Sequence, residues 1–208
     1  GGAMIDAVTL LAFIPAAMAL NFTPGADMMF CLGQGPRSGR RAAVAASAGV
    51  SAGAMVHVTL AGLGLGAAVA AMPWLFDMIR WAGVGYLLYL ARGAFRAGAV
   101  QADAPQIPAR RAFRSGFLVN ITNPKVILFV LAFLPQFVDP EGAVLAQFLI
   151  FGAVMGLGGF LINGGVGLFA GRAGQLLIGS PAAGRWLGRV SGTIFAGLAL
   201  RLAILERA

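Results

Sequence analysis

The chain has 208 residues, of which 59% are apolar and 11% charged, with a formal net charge of +8. Soluble domains carry about 25% charged residues, so this composition excludes a soluble protein and favours an all-α membrane protein. The arginines lie in short segments between apolar runs, which argues against nucleic acid as a partner and for loops that orient helices in a lipid bilayer.

Six membrane-spanning helices are predicted. The uncharged run from Ala7 to Ala26 alone has the roughly 20 residues needed to span. The predicted helices are, in chain order, helix 1 at about 5–34 (interrupted at Pro24-Gly25), helix 2 at 42–70, helix 3 at 74–95, helix 4 at 113–137, helix 5 within 142–171 and helix 6 at 185–205.

Loop charges predict how these helices are oriented. Most basic residues flank the loops after helices 1, 3 and 5, whereas the alternate loops hold Asp77, Asp139 and Glu141. Positively charged loops stay in the cytoplasm. Both termini are therefore predicted to lie outside.

The two halves of the chain resemble each other. Asn21-Phe-Thr-Pro24 in helix 1 is echoed by Asn120-Ile-Thr-Asn-Pro124 in helix 4. Three spans per half is an odd number, so the second half must enter the membrane from the opposite face. We therefore expect one transmembrane domain in which repeat one (about 5–96) and repeat two (about 113–206) form a 3+3 inverted repeat, joined by a polar loop at about 97–112. Transporters often follow this plan, with the substrate near the midplane.

The one lysine of the chain, Lys125, lies in an otherwise uncharged segment from Ser115 to Val138. A helical rise of about 1.5 Å per residue places it roughly 15 Å deep, near the middle of a bilayer core about 30 Å thick. Inserting such a charge costs roughly 2.5–3.5 kcal/mol, which indicates a functional site with a partner. Asp27 reaches the same depth from Arg37 and is the expected partner. A static ion pair that holds two helices together is the alternative interpretation.

Two prolines, Pro24 and Pro124, interrupt helices 1 and 4, because proline lacks an N–H and clashes with the preceding turn. Polar side chains beside them can satisfy the freed backbone groups, namely those of Asn21, Thr23, Asn120, Thr122 and Asn123. Irregular backbone at this depth persists only where protein or a water-filled cavity covers it. Simple proline kinks with packed asparagines remain the alternative.

Two further polar residues are candidates for the same site. His57, the one histidine, can relay protons or pack as a hydrogen-bonded side chain, and Asn163 can line the cavity or bond across helices. No group of His, Cys and carboxylates has metal-ligand spacing, and no Ser–His–Asp set stands out. We therefore predict no metal, no cofactor and no enzymatic activity.

Three motifs stand in order along the chain: Thr23-Pro24-Gly25-Ala26-Asp27, then Asn120-Ile121-Thr122-Asn123-Pro124-Lys125, then Phe133-Leu134-Pro135-Gln136-Phe137. They resemble those of the lysine-exporter (LysE/RhtB) family of bacterial amino-acid efflux proteins, although that family usually has a proline where Ala26 stands. The resemblance implies export of amino acids or their derivatives across the bacterial inner membrane, driven by protons or membrane potential. It assigns Thr23, Pro24, Gly25, Asp27, Asn120, Asn123, Pro124 and Lys125 to the site.

The expected function is therefore that of a multi-pass secondary transporter in the bacterial inner membrane, with both termini periplasmic. Asp27 would meet a substrate ammonium and Lys125 its carboxylate, with protons as a possible coupling ion. Two alternatives stay open: an exporter of other small solutes or cations, and a membrane scaffold or sensor without transport. Gly-rich helix faces also permit a homodimer.

Overall fold

The computed structural model describes residues 5–23, 25–96, 106–169 and 180–204, and within these ranges the regular structure is helical, without strands. The helices are α1 (Ala7–Phe22), α2 (Ala26–Ser38), α3 (Arg40–Ala71), α4 (Pro73–Arg96), α5 (Ala109–Ile121), α6 (Pro124–Leu128), α7 (Val144–Phe169) and α8 (Pro181–Ile204). A π-helical segment (Phe129–Phe133) and a 3₁₀ turn (Leu134–Phe137) continue α6. The all-α prediction is confirmed.

Most predicted helix ends lie within two residues of the observed ones, and three lie four residues away. Helix 1 was expected to end at residue 34 and helix 6 to begin at residue 185, whereas α2 ends at Ser38 and α8 begins at Pro181. Helix 4 was expected from residue 113, whereas α5 begins at Ala109. Pro108 takes the N-cap position in an extended conformation, with φ −67° and ψ 156°. Because the arginines that follow it are good helix formers, the polar character of this stretch does not prevent a helix.

Four segments qualify as membrane spans by length and composition. Two are single helices and two are bent pairs: Arg40–Gly64 in α3, Val144–Phe169, Ala7–Phe22 with Ala26–Gly35 (bent by 60°), and Ala109–Ile121 with Pro124–Phe137 (bent by 52°). The described residues therefore contain two to four candidate spans. Six spans and the inverted repeat remain a prediction.

The long helix α3 is central to the packing, because its backbone closely approaches those of α5 and α7. A Cβ atom at Gly49 would overlap the carbonyl oxygen of Phe113, and one at Gly116 would overlap that of Ala46. On the other side, Ser47 donates a 2.7 Å hydrogen bond to the carbonyl of Phe160 in α7. Small residues at helix interfaces permit such contacts, and in lipid close packing is a main source of helix association.

An aromatic cluster joins α1, α7 and the segment that continues α6. The Phe13 ring lies 4.6 Å from that of Phe151 and 5.2 Å from that of Phe137, measured between centroids. Phe129 and Phe133, in the π segment, continue the cluster at 5.0 Å from each other. The wider turn of a π-helix is typical of functional sites, and here it immediately follows the short helix α6.

The contact between α3 and α5 leads to a prediction about stability. Gly49→Ala should destabilise the protein by about 1–3 kcal/mol, the usual cost of overpacking, because its methyl group meets the backbone of Phe113. Gly64→Ala is the matched control in the same helix, since nothing lies within 4 Å of its Cβ position. Thermal unfolding in detergent measures both, and equal midpoints would contradict this packing.

Candidate functional site

The break between α1 and α2 leaves carbonyl oxygens without partners inside the helix. Thr23 caps α1, since its backbone N–H donates a 3.0 Å bond to Ala19 and its hydroxyl donates to the same carbonyl. α2 begins after Gly25, whose backbone is extended at φ −162° and ψ −170°. Pro24 itself lies outside the described residues. The carbonyls of Leu20 and Thr23 are thus open to an external donor.

The second break, between α5 and α6, is built differently. Asn123 is the N-cap of α6, and its side-chain oxygen accepts a 3.0 Å bond from the backbone N–H of Lys125. Pro124 is the first residue of α6, a position where its missing N–H costs nothing. The carbonyl of Asn120 accepts a 2.9 Å bond from the N–H of Asn123. Here the freed groups are satisfied mainly within the break.

Lys125 connects the two breaks. Its Nζ donates to the carbonyls of Leu20 at 3.2 Å and Thr23 at 3.0 Å. The side chain passes so close to Gly25 that a Cβ there would lie 3.2 Å from Nζ. A cation is favoured at a helix C-terminus, so the buried ammonium of Lys125 caps α1 from a distant part of the chain.

Asp27 lies in the first turn of α2, where the helix dipole favours a carboxylate. It is buried, and its Oδ2 accepts a 2.8 Å hydrogen bond from Nδ2 of Asn120. The Nε2 atom of His57 lies 3.2 Å from the backbone carbonyl of the same asparagine. Asn120 therefore links the one histidine to the buried carboxylate.

Asp27 and Lys125, the expected partners, do not form a direct ion pair. Among the described residues, Arg80 and Asp77 do form an ion pair, with 3.6 Å between nitrogen and oxygen. The physical reason is that each buried charge has other partners: carbonyl oxygens for the ammonium and the amide of Asn120 for the carboxylate. Both charges nevertheless line the same cavity.

This cavity measures about 30 Å³ and is lined by residues from both halves of the chain. A water molecule needs about 10–15 Å³ on the same measure, so there is room for water but not for an amino acid. Three buried acceptor oxygens of lining residues have no protein partner: Oδ1 of Asp27, of Asn120 and of Asn163. The cavity thus combines one anion, one cation and unsatisfied acceptors.

Several candidates from the sequence lie in or beside this cavity, and others do not. Thr23 and Asn21 line it, and Asn21 Nδ2 also donates a 3.0 Å bond to the carbonyl of Met155. Thr122 is exposed and donates to Leu118 in its own helix. Sequence reasoning missed Ser51, Met28 and Met155, which also line the cavity. Their types carry no signal of function, although the spacing of Ser47 and Ser51 places both on one face of α3.

Apolar helices that break beside a buried cavity containing an acid and a base are features of a multi-span membrane protein with an internal polar site. The chain belongs to the family of LysE type translocators, since the model of that family matches residues 18–206. The family resemblance of the three motifs is therefore confirmed.

Curated relatives are similar in sequence over nearly the whole chain. The homoserine/homoserine lactone efflux protein of Salmonella typhimurium is 32% identical over 187 residues, which cover 88% of this chain and 90% of the relative. The threonine efflux protein of Escherichia coli is 30% identical, over 94% of this chain and 98% of the relative. An uncharacterized membrane protein of Vibrio cholerae is 29% identical, over 96% of this chain and 98% of the relative. No solved structure matches the chain significantly.

The link through Asn120 leads to a second stability prediction. Asn120→Ala should cost about 1–3 kcal/mol, because it leaves the buried Asp27 carboxylate without its hydrogen-bond donor. Thr122→Ala is the neighbouring control and should change stability by less than about 0.5 kcal/mol, as expected for an exposed residue. Thermal unfolding in detergent compares them. A smaller loss for Asn120→Ala than for the control would refute the role of this bond.

Proposed function

We propose that this protein is a secondary transporter that exports amino acids or amino-acid derivatives across the bacterial inner membrane. Membership of the LysE family supports this proposal, as do relatives named for homoserine and threonine efflux. The observation that carries it is the cavity itself, which is lined by Asp27, Lys125 and two asparagines whose buried side-chain oxygens have no partner, Asn120 and Asn163. A zwitterion has the matching groups, one cation and one anion on neighbouring atoms.

The ammonium of the substrate would bind on the side of Asp27. An ammonium has three N–H donors, and the cavity offers three buried acceptors without partners, on Asp27, Asn120 and Asn163. The nitrogen of Asn120 is already used toward Asp27, so its Oδ1 is the atom free to accept. Hydrogen bonds to charged groups are about twice as strong as neutral ones, which favours an ammonium here over a neutral donor.

The carboxylate of the substrate would bind Lys125. This ammonium also has three donors, and carbonyls of α1 occupy two of them. The third can reach a substrate oxygen without loss of the existing bonds. A substrate that also competes for the first two would weaken the link between α1 and α6.

That competition supplies a physical route to alternating access. The present cavity is too small for an amino acid, so the helices must separate before the substrate enters. The bonds from Lys125 to Leu20 and from Asn120 to Asp27 join α1 and α2 to α5 and α6. A bound zwitterion would offset the cost of breaking them, because its own charges take their place. Rocking of the two halves about this site would follow.

We further propose that α4 and α8 complete six spans in a 3+3 inverted repeat, with both termini periplasmic. Each has 24 residues, which at about 1.5 Å per residue gives roughly 36 Å, enough to cross. Each is the third element of its half, after a bent pair and a long helix. Exposed Trp74 and Trp186 lie near their N-terminal ends, as is typical of residues at a membrane interface.

Proton coupling would involve His57 and Asp27, which contact the backbone carbonyl and the side-chain amide of Asn120, respectively. The histidine is half-buried in α3 beside the second helix break, and an imidazole can both donate and accept a proton. Protonation at this position would add a cation close to the carbonyl of Asn120. That positive charge would compete with the Lys125 ammonium for electrostatic interaction with the Asp27 carboxylate.

The transport prediction concerns the two buried charges. Asp27→Asn and Lys125→Met should each reduce amino-acid efflux from proteoliposomes by at least about tenfold, since a hydrogen bond to a charged group contributes about 1.5–3 kcal/mol. Asp77→Asn is the control that removes a carboxylate paired with Arg80, which does not line the cavity. Full efflux by both site variants would eliminate the zwitterion site. Transport of cations but not amino acids, or no transport at all, would favour the alternatives of a cation exporter or a scaffold.

The coupling prediction separates the two driving forces. With His57→Gln, efflux driven by membrane potential should persist, whereas its stimulation by a pH gradient should disappear, because glutamine retains a polar group but does not titrate. Ionophores that collapse one gradient at a time provide the measurement. Undiminished stimulation by pH in the variant would exclude His57 from coupling.

A further inference from the structure

An apolar groove lies beside the polar cavity, between α3 and α7. It measures about 320 Å³, which is ample for an aliphatic side chain, since an apolar cavity of about 150 Å³ already holds benzene. Its one polar side chain is Ser51, whose hydroxyl is engaged with the carbonyl of Gly156 at 2.8 Å. The lining residues are Ser51, Ala52, Met55, Ala153, Gly156, Leu157 and Phe160.

The groove and the polar cavity are adjacent, because they share two lining residues, Ser51 and Gly156. Position 156 has no side chain, and the hydrogen bond between Ser51 and Gly156 lies at this shared boundary, the Ser51–Gly156 junction. A Cβ at Gly156 would meet Met55 Sδ at 3.6 Å and the carbonyl of Ser51 at 3.9 Å, so a single methyl group would narrow the junction without a clash.

The charges of the two spaces restrict what can bind across them. Among the described residues, Asp27 and Lys125 are the charged side chains that line the polar cavity, and the groove has none. The α-ammonium and α-carboxylate of an amino acid would use both. A third charge on a substrate side chain would be buried without a partner, which is strongly unfavourable.

We infer that the substrate is a neutral amino acid with an apolar side chain. This inference rests on the proposed function and assigns a second subsite to it. The zwitterionic head lies in the polar cavity, and the side chain crosses the Ser51–Gly156 junction into the α3–α7 groove. The thioether of Met55 suits such a role, since methionine adapts its shape to different apolar ligands.

A substrate series in proteoliposomes tests the chain-length dependence. Alanine, norvaline, norleucine and 2-aminooctanoate share one head and differ in apolar length, and lysine adds a terminal charge. Apparent affinity should rise about fourfold for each added methylene that is buried, and lysine should bind more weakly than norleucine. Equal affinities for alanine and norleucine would overturn the inference and indicate that a lipid chain occupies the groove. Failure to transport any amino acid would instead refute the proposed function.

The junction is tested with two variants of α7. Gly156→Ala should lower the apparent affinity for norleucine by about tenfold more than that for alanine, the lower range for one methylene in an apolar pocket. Gly165→Ala is the matched control, because it adds the same methyl to the same helix with nothing within 4 Å.

Leu157→Trp gives a second test that does not depend on the junction. This residue is 62% exposed and lines the groove from outside, so a larger side chain fills the groove without disturbing the core. Norleucine transport should fall relative to alanine here as well. Equal losses for alanine and norleucine, in whichever of the two variants folds, would contradict a side-chain subsite in the groove.

Discussion

The arrangement of the site depends on one interaction, the capping of α1 by the ammonium of Lys125. A lysine at the start of α6 is unfavourable for its own helix, because the N-terminal end of a helix is positive. Its side chain escapes that field by reaching the carbonyls of Leu20 and Thr23 at the negative end of α1. Those carbonyls exist as acceptors only because α1 stops at Phe22. The first break therefore provides free carbonyl oxygens, and the helix after the second break provides the ammonium that binds them.

The helices can hold this geometry because α3 has small residues at several of its closest contacts with its neighbours. Gly53 shows the tolerance most directly, since a Cβ there would lie 2.8 Å from Oδ1 of Asn120. The asparagine that binds Asp27 thus occupies the space that a methyl group on α3 would take. Ser47 and Ser51 add hydrogen bonds to α7 carbonyls on the opposite side. Close packing in lipid and the polar site are consequently built from the same small residues.

Much of the site was predictable from local chemistry, and its connections were not. The prolines predicted both helix breaks and the freed backbone groups beside them, because the rule for proline is local. The rise of a helix predicted a common depth for Asp27 and Lys125, and they share a cavity. The hydrogen-bond partners of these two charges were harder to predict, since every residue has a backbone carbonyl and nothing in a sequence marks the one that will accept. The π segment and the groove beside Ser51 depend on how neighbouring helices pack. The residue pattern of a single helix does not predict that packing.

Asp27 and Lys125 follow their prolines at different distances along the sequence, yet each is the second residue of the helix that follows its break, α2 or α6. The two side chains therefore occupy corresponding positions and face a common space. Identical residues there would bring two like charges into a medium of low dielectric constant, where they repel strongly. In any protein that arises by duplication of such a half, this pair of positions must diverge in sign before both charges can be buried together. Opposite signs at these two positions would give the proposed zwitterionic substrate one preferred direction.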